Sequence, residues 1–431
     1  MKLSSLITLA AGFVSVAAAL PVKLQKRNSR WDYESNALYG VNIGGWLVLE
    51  PYITPSLFEA FGGDDSTKPV DEYHFCKAYG PDQASQVLQN HWSTFITEQD
   101  FEEMACYGLN FVRIPIGYWA FQTLEGDPYV QGQVDYLDQA LGWCQKHNLK
   151  AWIDLHGVPG SQNGFDNSGL RDEIDWQTTE GYVQVTTSVL SQIAQKYSGA
   201  DYNDVVIGIE LVNEPLGPAL NVDELVDYYN DGYQIVRNEG DVPVIIHDAF
   251  IQFNHYWDNV LNTQIDPSVW DVILDHHHYQ IFSVGELQRS TDDHVSFACN
   301  IGWQESGEYH STLCGEWTAA LTDCAKWLNG MARGARYDAT YDNSQAVGSC
   351  ENLYVANYDY FTNEEVRSKY RKYVEAQMDA YTFGKMNGWV FWCWKTENLI
   401  EWDFKQLVSL NIIPQPLTAR EYWDQCGYIK Y

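Results

Sequence analysis

Two glutamates stand out by their surroundings: Glu214 in the string IELVNEP (209–215) and Glu316 in CGEW (314–317). Each closes an apolar run, which reads as the tip of a buried strand. Carboxylates on two different strands can divide the cleavage of a glycosidic bond. One, protonated, assists the departing oxygen; the other, ionised, attacks or stabilises an oxocarbenium-like carbon. Other strand tips are also polar or aromatic: Glu50 and Tyr52, Arg113, His156, Asn213 beside Glu214, the run His276-His277-His278-Tyr279, and Trp392 with Trp394. A single strand-end Glu is as readily structural as functional, but tips of this kind on most strands point to one site. The three histidines invite a metal reading. Alternation along a strand puts His276 and His278 on one side and His277 on the other. No second ligand cluster or CxxC pair supports zinc, so no metal site is expected.

The elements that must carry these tips are apolar, β-branched runs: Leu38–Leu49, Phe111–Ile116, Leu149–Leu155, Val205–Val212, Val242–His247, Val269–Asp275, Leu313–Trp317 and Gly388–Trp394. Periodic, helix-like segments lie between most of them. Val134–His147 sets Leu137, Ala140, Leu141 and Cys144 on one face, and Tyr182–Tyr197 sets Val185, Val189, Ile193 and Ala194 likewise. Asp223–Asn238 and Glu364–Phe383 read the same way, the last with Asn363 as N-cap. Strand-then-helix repetition predicts an α/β fold, a (β/α)₈ TIM barrel, with active residues at the C-terminal ends of the strands. A doubly wound open sheet is the alternative, but no GxGxxG follows an early strand, and no cofactor is expected. The chain exceeds the roughly 250 residues a bare barrel needs. The surplus is expected in loops, chiefly 52–82, 283–310 and 328–361. No linker or repeat interrupts residues 28–431, so they are expected to form a single domain.

The first residues read as a processing segment. Lys2, an apolar run from Leu3 and the small residues Ala17-Ala18-Ala19 suggest a signal peptide over 1–19. Lys26-Arg27 suggests a propeptide over 20–27. The run is shorter than the roughly 20 residues of a bilayer span, so a secreted, soluble chain is expected, extracellular or in a cell wall. The formal charge of −32 over 431 residues argues against nucleic acid or an anionic membrane as partner. Aromatics make up 15%, with 17 Trp, enough both to fill a large core and to stack on the flat C–H faces of sugar rings. Nine cysteines suit a disulfide-permissive compartment and leave at least one free thiol. No Asn-x-Ser/Thr occurs, so N-glycosylation is not expected.

The string IELVNEP with CGEW resembles the signature of glycoside hydrolase family 5. More closely, GVNIGGWLVLEP (40–51), HWSTFITEQDF (91–101), VRIPIGYW (112–119), DLHGVPGSQNGFDNSG (154–169), DHHHYQIF (275–282), GEWTAALTDCAKWLNG (315–330) and FWCWKTEN (391–398) resemble the fungal exo-β-1,3-glucanases of that family, over nearly the whole chain. The resemblance implies Glu214 as acid/base and Glu316 as nucleophile of a retaining reaction, capable of transglycosylation, on β-1,3-glucan. Arg113 would keep Glu316 ionised, Asn213 would bond the sugar 2-hydroxyl and Tyr279 would orient Glu316. Glu50, Asp166 and His156 would hold hydroxyls of the terminal glucose, with Tyr52 among the binding residues and His277 facing the sugar. Trp394, or else Trp392, would floor that sugar. Phe165 and Phe282 would clamp the entrance, unless they merely pack their loops. It further implies disulfides Cys299–Cys426 and Cys324–Cys350, leaving Cys76, Cys106, Cys144, Cys314 and Cys393 as buried thiols unless a third bridge forms. An endo-acting β-glucanase and a non-catalytic wall glucan-binding protein are the rival readings. A monomer without partners beyond glucan and glucose is the default.

Overall fold

Continuous apolar runs can be buried on both faces only in a sheet that is itself enclosed. The eight runs form β1 (Leu38–Asn42), β2 (Phe111–Gly117), β3 (Lys150–Gly157), β4 (Val206–Glu210), β5 (Val244–His247), β6 (Val272–His277), β7 (Ser311–Trp317) and β8 (Met386–Phe391). A computed structural model describes residues 30–251, 255–341, 345–384 and 386–428. The expected signal peptide and propeptide lie outside these residues. The strands close into one barrel in chain order. Every neighbouring pair is parallel, and β8 returns to β1. The protein is a single-domain (β/α)₈ barrel.

Amphipathic helices make the crossovers: α1 (Glu98–Cys106), α2 (Gln133–Lys146), α3 (Tyr182–Tyr197), α4 (Val222–Glu239), α5 (Thr291–Glu305) and α6 (Glu364–Ala380); α7 (Phe404–Ser409) follows the last strand. The stripe read for α2 is buried as expected. That of α3 is turned slightly: Thr186 and Leu190 join Val189, Ile193 and Ala194 inside, while Val185 is only partly buried. Thr186 is drawn in because its hydroxyl accepts the Trp176 indole at 3.0 Å. Asn363 caps α6, accepting from the amides of Glu365 and Val366. Between β5 and β6 the described residues hold only a 3₁₀ turn, Tyr256–Asn259. No helix among the described residues is long and apolar enough to cross a membrane.

Several expectations are corrected. The segment 52–82 is not a plain loop but holds the helices Pro55–Glu59 and Glu72–Tyr79. The segment 283–310 is not a loop but holds α5, which opens on a capping box. Ser290 accepts from the Asp293 amide, and the Asp293 carboxylate accepts from the Ser290 amide. The first strand ends at Asn42 rather than Leu49, because Gly44-Gly45 turns the chain. Gly45 has φ +66°, and a side chain at Gly44 would press on Trp392 at 2.8 Å.

The barrel interior is layered. Its lower layer is apolar, with one side chain from each strand: Leu38, Phe111, Trp152, Ile207, Ile245, Ile273, Leu313 and Val390. Above it, toward the C-terminal ends, buried polar groups take over, among them Asn42, Arg113, Asp154, Glu210, His247 and Asp275. Side chains at the strand tips therefore stand on a floor that is first charged and then dry. The disulfides are Cys299–Cys426, which ties α5 to the C-terminal segment, and Cys324–Cys350, which braces the loop after β7. Cys76, Cys144, Cys314 and Cys393 are buried thiols; Cys106, expected to be buried, is exposed on the last turn of α1.

Candidate active site

Glu316 is the penultimate residue of β7, and both its oxygens are held. Oε1 accepts from Arg113 Nη1 at 2.9 Å and Oε2 from the Tyr279 hydroxyl at 2.8 Å. Glu214 stands beyond the end of β4 at φ +45°, a conformation that a non-glycine residue adopts at a cost of about 1–3 kcal/mol. Its Oε1 meets His277 Nδ1 at 2.7 Å, and its Oε2 accepts from Asn167 Nδ2 at 3.1 Å. The same His277 nitrogen lies 3.4 Å from Glu316 Oε2. One imidazole therefore joins the two carboxyls, and both glutamates are buried.

The charges divide unevenly. Burial opposes a charged imidazole at His277, but the carboxylates of Glu316, Asp275 and Glu214 hold it well above the ordinary histidine range. At Glu214, burial is overcome by the hydrogen bond and charge of His277, with His247 and His156 adding to it, and the carboxyl falls to about 2. At Glu316, burial, with the charge of Glu214, outweighs His277 and Arg113, and the carboxyl rises to about 7. This corrects the expectation that Arg113 alone would keep Glu316 low: the guanidinium is shared. It donates from Nε to Glu210 at 2.8 Å and from Nη2 to Asn213 at 2.8 Å, and Nη2 lies 3.1 Å from Asp154.

Most of the other tips gather here. His156 Nδ1 is 2.6 Å from Asp154 Oδ2, and its Nε2 is 3.5 Å from Asn213 Nδ2. Glu50, buried after β1, accepts from the Gly45 amide at 3.2 Å; burial, with the charges of Asp166 and Glu316, pushes it well up. Asp166 lies in a 3₁₀ turn after β3 with Asn167, and burial raises it to about 7. Phe165 and Phe282, in the loops after β3 and β6, are 40% and 41% exposed. Phe282 packs edge-on against Tyr279 at 5.5 Å and Phe165 against Phe250 at 6.5 Å.

Trp394 is not at the site. Its indole donates to Asp100 at 2.9 Å and its ring packs on Phe404 and Tyr107. Trp392 takes the place beside the tips: its indole donates to the Tyr52 hydroxyl, and its ring stacks on His156 at 5.7 Å and 9°. His277 lies between the two glutamates and is itself buried, rather than facing an open pocket. His276 and His278 point the other way, as alternation requires, to Asp248 and Tyr381. Sequence reading did not pick out Asp154, Asn167, Glu210 or Asp275. Asp154 and Asp275 stand two positions before His156 and His277, on the same strand face, so the same alternation reaches them. Asn167 had no comparable signal.

His277 belongs to two groups of close ligand-type atoms, one with Glu214 and His247 and one with Glu210 and Asp275. A fixed cation already serves the second, since Arg113 Nε lies 2.8 Å from Glu210 and 3.7 Å from Asp275. His277, itself held cationic, is a poor metal ligand in either.

A closed (β/α)₈ barrel whose fourth and seventh strands bring two buried carboxyls to one imidazole is the framework of a glycoside hydrolase. The chain matches the family described as cellulase (glycosyl hydrolase family 5) over residues 76–347. It is 64% identical over 428 residues to a glucan 1,3-β-glucosidase of Pichia angusta, covering 99% of this chain and 97% of that one. A Schwanniomyces occidentalis enzyme of the same name is 54% identical, over 96% of both chains. The Saccharomyces cerevisiae glucan 1,3-β-glucosidase I/II is 51% identical, over 94% of this chain and 92% of its own. Among solved structures, a rutinosidase from Aspergillus niger superposes with a TM-score of 0.68 at 19% identity, covering 89% of this chain and 99% of its own, and so shares the fold. The chain belongs to glycosyl hydrolase family 5 and is a glycoside hydrolase.

Proposed function

We propose that the protein is a secreted, retaining, exo-acting glucan 1,3-β-glucosidase that removes glucose from the non-reducing ends of β-1,3-glucan in cell-wall metabolism. The observation that carries this reading is the junction at His277, within 2.7 Å of Glu214 and 3.4 Å of Glu316. Those two carboxylate oxygens are no more than about 6 Å apart, a bound compatible with the roughly 5–5.5 Å spacing of a retaining pair. The names of the relatives supply the glucan linkage, and the exo mode is part of the proposal.

Glu214 gives its proton to the glycosidic oxygen while Glu316 attacks the anomeric carbon, and the C–O bond to the leaving sugar breaks. Water then loses a proton to Glu214, its oxygen bonds the anomeric carbon, and β-glucose leaves with Glu316 restored. A sugar hydroxyl in place of water gives transglycosylation. The reactive form needs a proton on Glu214 and none on Glu316. In the resting site the trio of Glu214, His277 and Glu316 holds two protons below about pH 7, on His277 and Glu316. Moving one from Glu316 to Glu214 gives the reactive form at the same proton count, so the trio titrates as a unit. Above about pH 7 one proton is lost, and with it the acid.

Digestion of linear β-1,3-glucan, followed early by chromatography, tests the substrate and the mode. Glucose alone is the expected product. A ladder of oligosaccharides would replace exo with endo action, and glucan binding without sugar release would make the chain a binding protein.

A further inference from the structure

The carboxyls around Arg113 outnumber its charge. The guanidinium is fully buried and faces Asp154 on β3, Glu210 on β4, Asp275 on β6 and Glu316 on β7. Most of these have a second partner. Asp154 shares its Oδ2 with His156, Asp275 lies 3.5 Å from His277, and Glu316 has Tyr279 and His277. Beyond them, Glu214 and His247 stand over β4 and β5, and Glu50 and Tyr52 close the side after β1. Glu210 differs. Its Oε2 takes Arg113 Nε at 2.8 Å, while its Oε1 has no hydrogen-bond partner among the described residues. It is completely buried at the end of β4, four residues before Glu214, where no sugar can touch it.

A guanidinium is planar, so fixing one edge fixes the aim of the others. With Nε on Glu210 and Nη2 on Asn213, Nη1 is left for Glu316 at 2.9 Å and Asn42 Oδ1 at 3.0 Å. We propose that Glu210 is a positioning residue of the glycosidase reaction: it anchors Arg113 by Nε so that Nη1 is aimed at Glu316. An ionised Glu210 would compete with Glu316 for the one guanidinium. Burial, with the charges of Asp154 and Asp275, pushes Glu210 well above the usual carboxylate range. It therefore accepts from Arg113 as a carbonyl does, which an amide can imitate.

The inference rests on Glu316 as the reacting carboxylate, and the test is a pH–rate profile of the full chain on a chromogenic β-glucoside. Glu210→Leu removes the acceptor at similar volume. The expected result is a kcat at least about tenfold lower with KM little changed, and a basic limb about one pH unit higher, because Glu316 loses an aligned cation. Glu210→Gln should restore kcat to within about threefold and return the limb to its wild-type pH. A Gln variant whose limb moves as far as that of the Leu variant would overturn the proposal, since the charge and not the anchor would then matter. So would a Leu variant with an unchanged limb and kcat. Should Glu210→Leu fail to fold, the limb of Glu210→Gln decides alone: unmoved supports the proposal, displaced overturns it. A carboxyl-¹³C NMR titration of Glu316, assigned by its loss in Glu316→Gln, reads the same shift without turnover. Failure of the glucosidase reading is thus distinguishable from failure of this one.

Discussion

The Tyr279 hydroxyl donates to Glu316 Oε2 at 2.8 Å inside a buried site. Replacing Tyr279 with Phe deletes that bond and leaves the ring, with its edge contact to Phe282, in place. A hydrogen bond to a charged group contributes about 1.5–3 kcal/mol. The bond favours ionised Glu316, so losing it raises the Glu316 carboxyl by about one to two pH units at about 1.4 kcal/mol per unit. The basic limb of kcat/KM should move from about 7 toward 8 or 9. Activity below pH 6 should fall about 10- to 100-fold, because the form with the proton on Glu214 becomes less accessible. Stopped-flow rates on a chromogenic β-glucoside from pH 4 to 9 measure both. An unchanged limb with an unchanged rate, or a limb moved to lower pH, would refute the assignment of the pH 7 proton to Glu316.

Exchanging the two tryptophans of the FWCW segment separates site from scaffold. Trp392→Phe should lower kcat/KM about tenfold, through lost stacking beside His156 and the lost indole donor to Tyr52. Trp394→Phe should leave kcat/KM near wild type and cost about 1–2 kcal/mol of stability through its bond to Asp100, read by thermal unfolding. Glu401 gives a stability prediction with a sign. Burial raises its carboxyl to about 7, and its Oε1 accepts from both Tyr370 and the Leu321 amide. A folded value above the unfolded one means that its contribution is fully present below about pH 4.3 and is lost as pH rises through about 7. Glu401→Gln keeps the acceptor and removes the titration. Its gain in Tm over wild type should therefore be larger at pH 8 than at pH 5, and calorimetry showing the reverse would contradict this.

The barrel was legible because each strand is a continuous apolar run and each amphipathic helix repeats at 3.6 residues. The capping box at Ser290 was equally legible, yet 283–310 reads as a loop when the eye follows strands. Glu214, Glu316 and Arg113 stood out because charged residues at the tips of buried runs have few structural reasons to be there. The choice between Trp392 and Trp394 could not be made by alternation, because the strand ends at Phe391 and the chain beyond it no longer has a period of two. Asn167 lies in a turn positioned by packing of Gly157 against Ser168, where a Cβ would meet the Ser168 carbonyl at 2.3 Å; that is a tertiary fact with no local pattern. The electrostatics were the least legible. Arg113 beside Glu316 suggests a low carboxyl until its other partners, from strands far apart in the chain, are counted.

Covalent trapping tests the central claim most directly. A β-glucoside with fluorine at C2 and a good leaving group at C1 forms the glucosyl-enzyme faster than water releases it. Peptide mapping by mass spectrometry should place one fluoroglucosyl group on Glu316, within CGEW, and activity should return as the group is slowly lost. A label on Glu214 would contradict the assignment of Glu316 as nucleophile, and inactivation without any covalent label would contradict the retaining mechanism itself.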